Sequence, residues 1–212
     1  MFTPLEDSII KRARENGLIE INLIQLRDFA FNKHNQVDDT PYGGGSGMVL
    51  KPEPVFRAVR SILETSFPPE QRRILIMDPI GSQFNQAKAK ELAKFEQLIF
   101  ICGHYEGFDE RIYELADEAL SIGEYVLTGG ELPAMVIIDA VARMLPNVLG
   151  SEESAKTDSF YNGGAGYPQY TKPRDFEGRQ VPEILLSGNH AKIAEWRRQQ
   201  SELRNFSITK NN

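Results

Sequence analysis

Two glycine-rich corners are the segments of this chain best suited to hold a ligand. Gly103 follows one apolar run, and the Gly129–Gly130 pair separates the strand-like Tyr125–Leu127 from a helical pattern. Glycine lets the backbone turn sharply and lets a ligand approach the main chain. Pro133 stands where a first helical turn accepts proline. Because open α/β sheets bind ligands at the carboxyl ends of their strands, the corners predict one ligand cleft. Two ordinary strand-to-helix turns are the alternative.

Three charged side chains are candidates for moving a proton or for stabilising developing charge. Glu106 lies in the first corner, Arg143 lies in the mostly apolar helical pattern 131–145, and Asp158 stands in a polar stretch. Each also has a simpler interpretation. Glu106 can solvate a loop, Arg143 can pair with Asp139 four residues earlier, and Asp158 can cap a helix or a turn. The residues alone leave these alternatives open.

The remaining motifs argue against several classes of site. The three histidines and the single cysteine are scattered, without the spacing of metal ligands. Cys102 lies within an apolar run, which favours a buried structural thiol. No phosphate-loop Gly-Lys-Ser/Thr follows the glycines of 43–47, and no Gly-x-Gly-x-x-Gly follows a strand. These absences disfavour an NTPase and a dinucleotide-binding site.

The elements that must position these residues alternate between strands and helices. Continuous apolar runs, typical of strands buried on both faces of a parallel sheet, predict strands at Arg73–Asp78 and Gln97–Cys102, and partial alternation predicts another at Ile19–Leu26. Helical patterns fall at residues 4–16, 53–65, 84–95, 109–120 and 131–145. This order predicts an α/β fold with a mostly parallel sheet flanked by helices.

Length and composition favour a cytoplasmic globular protein. The chain has 212 residues, a net charge of −6 and a pI of about 5.2. Such acidity argues against indiscriminate coating of nucleic acid. We expect no membrane segment and no signal peptide. We divide the chain into a core at 1–149, a polar, glycine-containing linker at 150–168 and a small final segment at 169–212.

Five ordered segments closely resemble bacterial tRNA (guanine-N1)-methyltransferases, which methylate the guanosine at position 37, next to the anticodon. The matching segments are residues 38–48, 103–111, 121–135, 145–150 together with 157–160, and 181–190. The resemblance implies an α/β domain with a deep trefoil knot of the SPOUT type, which periodicity alone does not predict. It also implies a small helical C-terminal domain, a homodimer, and a tRNA partner with guanosine 3′ to the anticodon.

The resemblance also implies S-adenosyl-L-methionine as methyl donor, with Mg²⁺ as an accessory ion whose ligands we do not assign. It places the donor against a set of residues at the ends of three strands: Pro79, Gly81, Gly103, Tyr105, Ile122, Gly123, Glu124, Tyr125, Val126, Leu127, Gly129, Gly130 and Pro133.

Methylating N1 of guanine requires loss of the N1 proton and stabilisation of the negative charge that develops on O6. By resemblance, Asp158 is the base and Arg143 the cationic partner. Glu106 is a third catalytic candidate, placed to face the positive sulfonium or a metal ion. A free Asp has a pKa near 3.9, so this base needs desolvation or a partner that acidifies N1.

The chain departs from the family pattern at both ends. Family members begin with an apolar strand, whereas this sequence begins at the last two residues of the matching phrase, Met1-Phe2. We therefore expect a missing first strand and a shortened basic C-terminal region. The shortened C-terminal region should affect tRNA affinity more than donor binding. Two alternatives remain: a non-catalytic RNA-binding protein of the same fold, and a different nucleotide-binding enzyme that uses Gly43–Gly47.

Overall fold

The computed structural model describes residues 1–150 and 158–211, which divide into two compact units, Met1–Leu149 and Gly150–Asn212. The helices of the first unit are α1 (Ser8–Glu15), α2 (Pro52–Leu63), α3 (Gln86–Leu92) and α4 (Glu131–Ala142), with 3-10 helices at Thr3–Glu6, Leu26–Phe29, Pro69–Gln71 and Glu110–Leu115. Its strands are β1 (Asp38–Asp39), β2 (Val49–Leu50), β3 (Arg72–Gln83), β4 (Gln97–Cys102) and β5 (Glu118–Ser121).

A parallel three-stranded sheet forms the centre of the first unit. Its strand order is β4-β3-β5, and Met77 of β3 lies opposite both Cys102 of β4 and Leu120 of β5. All three strands run the same way, so their carboxyl ends meet at one edge of the sheet. The predicted parallel α/β architecture is confirmed.

The sheet is covered by helices on both faces because its central strand is apolar on both sides. Ile74 and Ile76 pack into one core with Val55 and Val59 of α2. Leu75 and Met77 point the other way, as successive strand residues must. They pack with residues of α3 and α4, including Ala89, Leu92, Ala134 and Ile137.

Two of the secondary-structure predictions for residues 1–120 are wrong. Residues 19–25 form no strand, and Leu23 and Ile24 remain exposed. The helix predicted at 109–120 is instead the 3-10 helix Glu110–Leu115 followed by β5. Backbone pairing with β3 draws Glu118–Ser121 into the sheet, because tertiary contacts override a weak local preference.

The second unit contains a short hairpin and two helices. Its elements are β6 (Asp175–Phe176), β7 (Arg179–Gln180), α5 (Glu183–Leu186) and α6 (His190–Asn211). The Ala165 N–H donates to Asn205 Oδ1 at 2.6 Å, and Arg204 donates to the Gly166 carbonyl. The described part of the predicted linker therefore packs against α6, while its residues 151–157 lie outside the described residues. None of the helices that the structure describes is long and apolar enough to cross a bilayer.

Candidate active site

Three backbone segments that were predicted to hold a cofactor meet at one edge of the sheet. Asp78–Gly81 loops out of β3, Gly103 follows the end of β4, and Ile122 follows the end of β5. Because β3 lies between the other two strands, its loop is adjacent to both other segments. Pro79 is exposed there, whereas Gly103 is buried.

Two glycines allow these segments to touch backbone to backbone. A Cβ on Gly81 would lie 2.5 Å from the carbonyl carbon of Ala119, and one on Gly130 would lie 2.8 Å from Cys102 Cα. Real Cβ atoms do not approach backbone so closely. The Gly130 N–H also donates to the Gly103 carbonyl at 2.8 Å. The two glycine-rich corners therefore pack directly against each other. Glycine is needed at positions 81 and 130 because of these close backbone contacts.

A pair of side chains that was not among the predicted site residues joins the same corners. His104 Nε2 lies 2.6 Å from Glu131 Oε1, and the side chains are 40% and 17% exposed. Glu131 occupies the first turn of α4, where the positive end of the helix dipole stabilises a carboxylate. Its other oxygen, Oε2, is buried without a hydrogen-bond partner among the described residues. The sequence signal was a titratable residue directly after Gly103 and after Gly130.

Gly129 makes room for this pair. A Cβ at that position would lie 2.5 Å from Glu131 Oε2 and 2.6 Å from His104 Cε1. An isolated antiparallel bridge also joins His104 to Gly129. Pro133 follows in the first turn of α4, where a missing N–H costs nothing because the first four donors of a helix are unpaired within it.

The glycine-rich segment near Gly47 lies against the corner that carries Glu106. A Cβ on Gly47 would lie 2.8 Å from Glu106 Oε1, and the Glu106 N–H donates to the Met48 carbonyl at 3.0 Å. Glu106 is exposed, and its neighbour Tyr105 is about half exposed with a φ of 66°. That left-handed conformation is unusual for an aromatic residue. The carboxylate of Glu106 and the glycine-rich segment thus belong to one surface.

The strand predicted at Tyr125–Leu127 is wrong, because these residues form an irregular loop. Their side chains are exposed, Val126 most of all at 84%. The last pairing of β5 joins Ser121 to Gln83, the last residue of β3, so no neighbouring strand extends beyond it. The Tyr125 ring folds back over Gly123, with its hydroxyl near the Ile122 carbonyl at 3.4 Å. Glu124 is exposed between them.

Comparison with known proteins identifies the family. The family model for tRNA (Guanine-1)-methyltransferase TrmD matches residues 1–210. A tRNA (guanine-N(1)-)-methyltransferase of Desulfitobacterium hafniense is 56% identical over 206 residues, which cover 97% of this chain and 78% of the relative. The chain belongs to the TrmD family. Enzymes of the same description from Staphylococcus carnosus and Staphylococcus aureus are 56% and 54% identical over 95% and 96% of this chain, and 81% and 82% of their own lengths.

Within this family member, Arg143 stands far from the glycine corners of its own chain. It is the half-buried C-terminal cap of α4, and its N–H donates to the Asp139 carbonyl at 3.2 Å. Glu131 begins the same helix, so twelve residues at 1.5 Å each separate the two by about 18 Å. The structure does not bring Arg143 to the corners within the first unit.

Asp158 belongs to the second unit. The residue is exposed, and its carbonyl accepts a hydrogen bond from the Tyr161 N–H at 3.3 Å. Thr157, which precedes it in the matched motif, lies outside the described residues. The structure thus assigns the two predicted catalytic residues, Arg143 and Asp158, to separate compact units, and their roles stay predictions.

The described residues do not provide a metal cage. No group of three or more His, Cys, Asp or Glu side chains that could hold a metal ion occurs in residues 1–150 or 158–211. A resident Mg²⁺ bound by protein alone does not fit this part of the chain, although Mg²⁺ also binds through water and phosphate.

Proposed function

We propose that this TrmD-family protein transfers a methyl group from S-adenosylmethionine to N1 of the guanosine at position 37 of tRNA, next to the anticodon. Membership of the family gives the class of reaction. The observation that best supports a working site is the meeting of three glycine-bearing segments at the carboxyl ends of β3, β4 and β5. This edge is where open α/β sheets place their ligands.

The donor pocket is formed mainly by main chain. Gly103 and the Ile122–Leu127 loop hold the adenine and ribose, while Pro79 and Gly81 close one wall and Tyr105 borders the opening. Gly129, Gly130 and Pro133 shape the floor. When bound, S-adenosylmethionine supplies an electrophilic methyl group on a positively charged sulfur. The carboxylates of Glu106 and Glu131 give the neighbourhood the opposite charge.

The chain's own contribution to the reaction is to remove one proton and stabilise one charge. The Asp158 carboxylate accepts the N1 proton of guanine as the N1–CH₃ bond forms and the sulfur–methyl bond breaks. Arg143 donates hydrogen bonds to O6, where negative charge accumulates. An arginine next to O6 also makes N1 more acidic, which lets a carboxylate of low basicity act as base.

We propose further that the active site is shared between two copies of the chain. The helix α4 carries Leu132 and Val136 exposed at 46% and 49%, and these residues lie on one stripe with Asp139 and Arg143. A second copy packed on this stripe buries its apolar side chains. Arg143 lies about 18 Å from the glycine corners along its own helix. In such a dimer it serves the pocket of the other protomer. Asp158 of the same protomer as this Arg143 reaches that pocket too, so each pocket receives both side chains from the other copy of the chain.

The finer features of the family complete the proposal. The first unit carries the trefoil knot around the three segments, and residues after 168 contact the tRNA. The substrate is then a cytoplasmic tRNA, so the protein acts in the cytoplasm. Its acidic composition requires a small, specific RNA footprint rather than a broad basic surface.

Transfer of labelled methyl to defined tRNA transcripts tests the proposal. We expect incorporation into a transcript with guanosine at position 37 and none into the matched transcript with adenosine there. Nuclease digestion should release 1-methylguanosine from that position. Binding of tRNA without any methyl transfer would instead favour the non-catalytic RNA-binding alternative. Label at another base or position would contradict the proposed substrate.

A further inference from the structure

The carboxylate of Asp78 fastens the loop that interrupts β3. Met77 and Ser82 both lie opposite Leu120, so Asp78–Gly81 leaves the sheet between them. Asp78 Oδ1 accepts a hydrogen bond from the Ile80 N–H at 2.9 Å. Such a side-chain-to-backbone bond two residues ahead fixes a tight turn. The other carboxylate oxygen accepts a hydrogen bond from the Tyr113 hydroxyl.

Tyr113 approaches Asp78 from the segment that follows the β4 corner. It lies partly buried in the 3-10 helix Glu110–Leu115. Its ring packs edge-on against Phe108, with the centroids 5.9 Å apart and the planes at 80°. Burial, with the hydrogen bond to Asp78, raises the pKa of Tyr113, so the hydroxyl keeps its proton at neutral pH and donates it to the carboxylate.

Phe108 extends this connection to Gly103. A Cβ on Gly103 would lie 2.8 Å from Phe108 Cε2, so the ring occupies the space that a side chain at position 103 would need. Contacts therefore run from Gly103 through Phe108 and Tyr113 to Asp78. They join the β4 corner to the β3 loop through side chains, independently of the sheet hydrogen bonds.

We propose that Tyr113 and Asp78 are positioning residues that hold the Pro79–Gly81 loop in the shape that takes the methyl donor. The inference rests on the proposed function, because it assigns this loop to the donor pocket. The loop tip has little other support: Pro79 is exposed and Ile80 is 87% exposed. Gly81 packs against the backbone of Ala119, which anchors the far end. The Asp78 carboxylate fixes the near end, and Tyr113 orients that carboxylate.

A set of four variants separates this role from a purely structural one. Tyr113→Phe removes only the hydroxyl, and Asp78→Ala removes both acceptors. Asp78→Asn preserves the link, because its amide oxygen accepts from Ile80 while its NH₂ donates to the tyrosine oxygen, which can also accept. The double variant Tyr113→Phe/Asp78→Ala completes a thermodynamic cycle. Tyr170→Phe, in the second unit, is the matched control for loss of a tyrosine hydroxyl.

The measurements are the Kd for S-adenosylmethionine by calorimetry, well below the unfolding temperature, and the steady-state constants with tRNA. Losing a hydrogen bond to a charged group weakens donor binding by about tenfold in Tyr113→Phe and in Asp78→Ala. The double variant should also lose about tenfold rather than a hundredfold, because both changes break one link. Asp78→Asn should stay near wild type, and Tyr170→Phe should keep the wild-type Kd for S-adenosylmethionine. The KM for the donor should rise in Tyr113→Phe while kcat changes little.

The possible outcomes distinguish this inference from the proposed function. If wild type binds the donor and Tyr113→Phe binds it equally well, with only a lower unfolding temperature, the positioning role is wrong while the methyltransferase assignment stands. Independent, multiplicative losses in the double variant would also overturn it. If wild type does not bind S-adenosylmethionine, the proposed function and this inference fail together.

Discussion

His104 Nε2 and Glu131 Oε1 lie 2.6 Å apart although the residues are 27 positions apart in the sequence. Each residue directly follows a glycine of its corner, Gly103 in the first and Gly130 in the second. The backbone hydrogen bond from the Gly130 N–H to the Gly103 carbonyl joins the same two corners. The two corners are therefore held at two points, and the shape of the proposed donor pocket depends on the Glu131 carboxylate as well as on the glycines.

We expect Glu131→Ala to weaken S-adenosylmethionine binding by about tenfold, the usual scale for losing a hydrogen bond with charged character. Glu131→Gln should lose less, because its amide oxygen still accepts a hydrogen bond from His104. The test is calorimetric titration with the donor. Glu91→Ala, which removes an exposed glutamate on α3, serves as control. Equal affinity of Glu131→Ala and wild type for S-adenosylmethionine would show that Glu131 does not contribute to donor binding.

Gly130→Ala should destabilise the fold by about 1–3 kcal/mol, the range for overpacking a close contact, because its Cβ would lie 2.8 Å from Cys102 Cα. Gly150→Ala is the matched control. Neither glycine has a positive φ, and a Cβ at position 150 meets nothing within 4 Å. Thermal unfolding of both variants decides the point. Equal loss of stability in the two would refute the packing explanation.

The sequence predicted the parts of the fold that follow from continuous apolar patterns. The β3 and β4 runs have apolar residues on both faces, and helices pack against both. Strand β5 was missed because Glu118–Ser121 reads locally as the end of a helix, and only pairing with β3 makes it a strand. For the same reason, Tyr125–Leu127, which has no neighbouring strand to extend, forms a loop.

The candidate site was predictable only where the backbone dictated residue type. Gly81, Gly103, Gly129 and Gly130 all stand where a side chain would collide with a neighbouring group, and glycine is visible in a sequence. The contact between His104 and Glu131 depends on two corners meeting in space. No spacing rule along the chain encodes that meeting, so sequence reasoning passed over both residues.

Cys102 should resist alkylation in the folded protein. Burial, followed by the nearby Glu131 carboxylate, raises the pKa of Cys102 to about 12, and only the thiolate is a good nucleophile. We expect little labelling by iodoacetamide at about pH 8.5 and full labelling of this single cysteine in denaturant. Rapid labelling without unfolding would show an accessible thiolate.

The raised pKa of Cys102 also makes the free energy of unfolding depend on pH. Above the ordinary cysteine pKa of about 8.5, the unfolded chain loses the thiol proton while the folded chain keeps it, since its pKa is about 12. The free energy of unfolding should therefore fall as the pH rises through this window. Denaturant titrations at a series of pH values measure the slope. Cys102→Ala should show a shallower fall than wild type, and an identical slope would contradict the assignment.

Asp158→Asn should leave donor binding nearly unchanged and slow methyl transfer by about 10²-fold or more, the scale of losing a general base. Asparagine keeps the size and the hydrogen-bonding ability of aspartate but does not accept the N1 proton. If Asp158 only caps a turn, asparagine replaces it well. Single-turnover methylation at saturating donor and tRNA removes binding defects from the comparison. Glu91→Gln, at an exposed acid of α3, controls for the loss of one negative charge.

Mixing two inactive variants should restore activity if two protomers share each site. Gly129→Val disables the donor pocket, because its side chain occupies the space of the His104–Glu131 pair, and Asp158→Asn disables the base. In a mixed dimer, the intact pocket of one protomer meets the intact Asp158 of its partner. Random exchange of equal amounts then gives half mixed dimers with one working site of two, or about a quarter of the wild-type rate. The measurement is methyl transfer after the variants are mixed and allowed to exchange. If each site used Asp158 of its own chain, no mixed dimer would contain a working site, and activity would stay at the level of the separate variants.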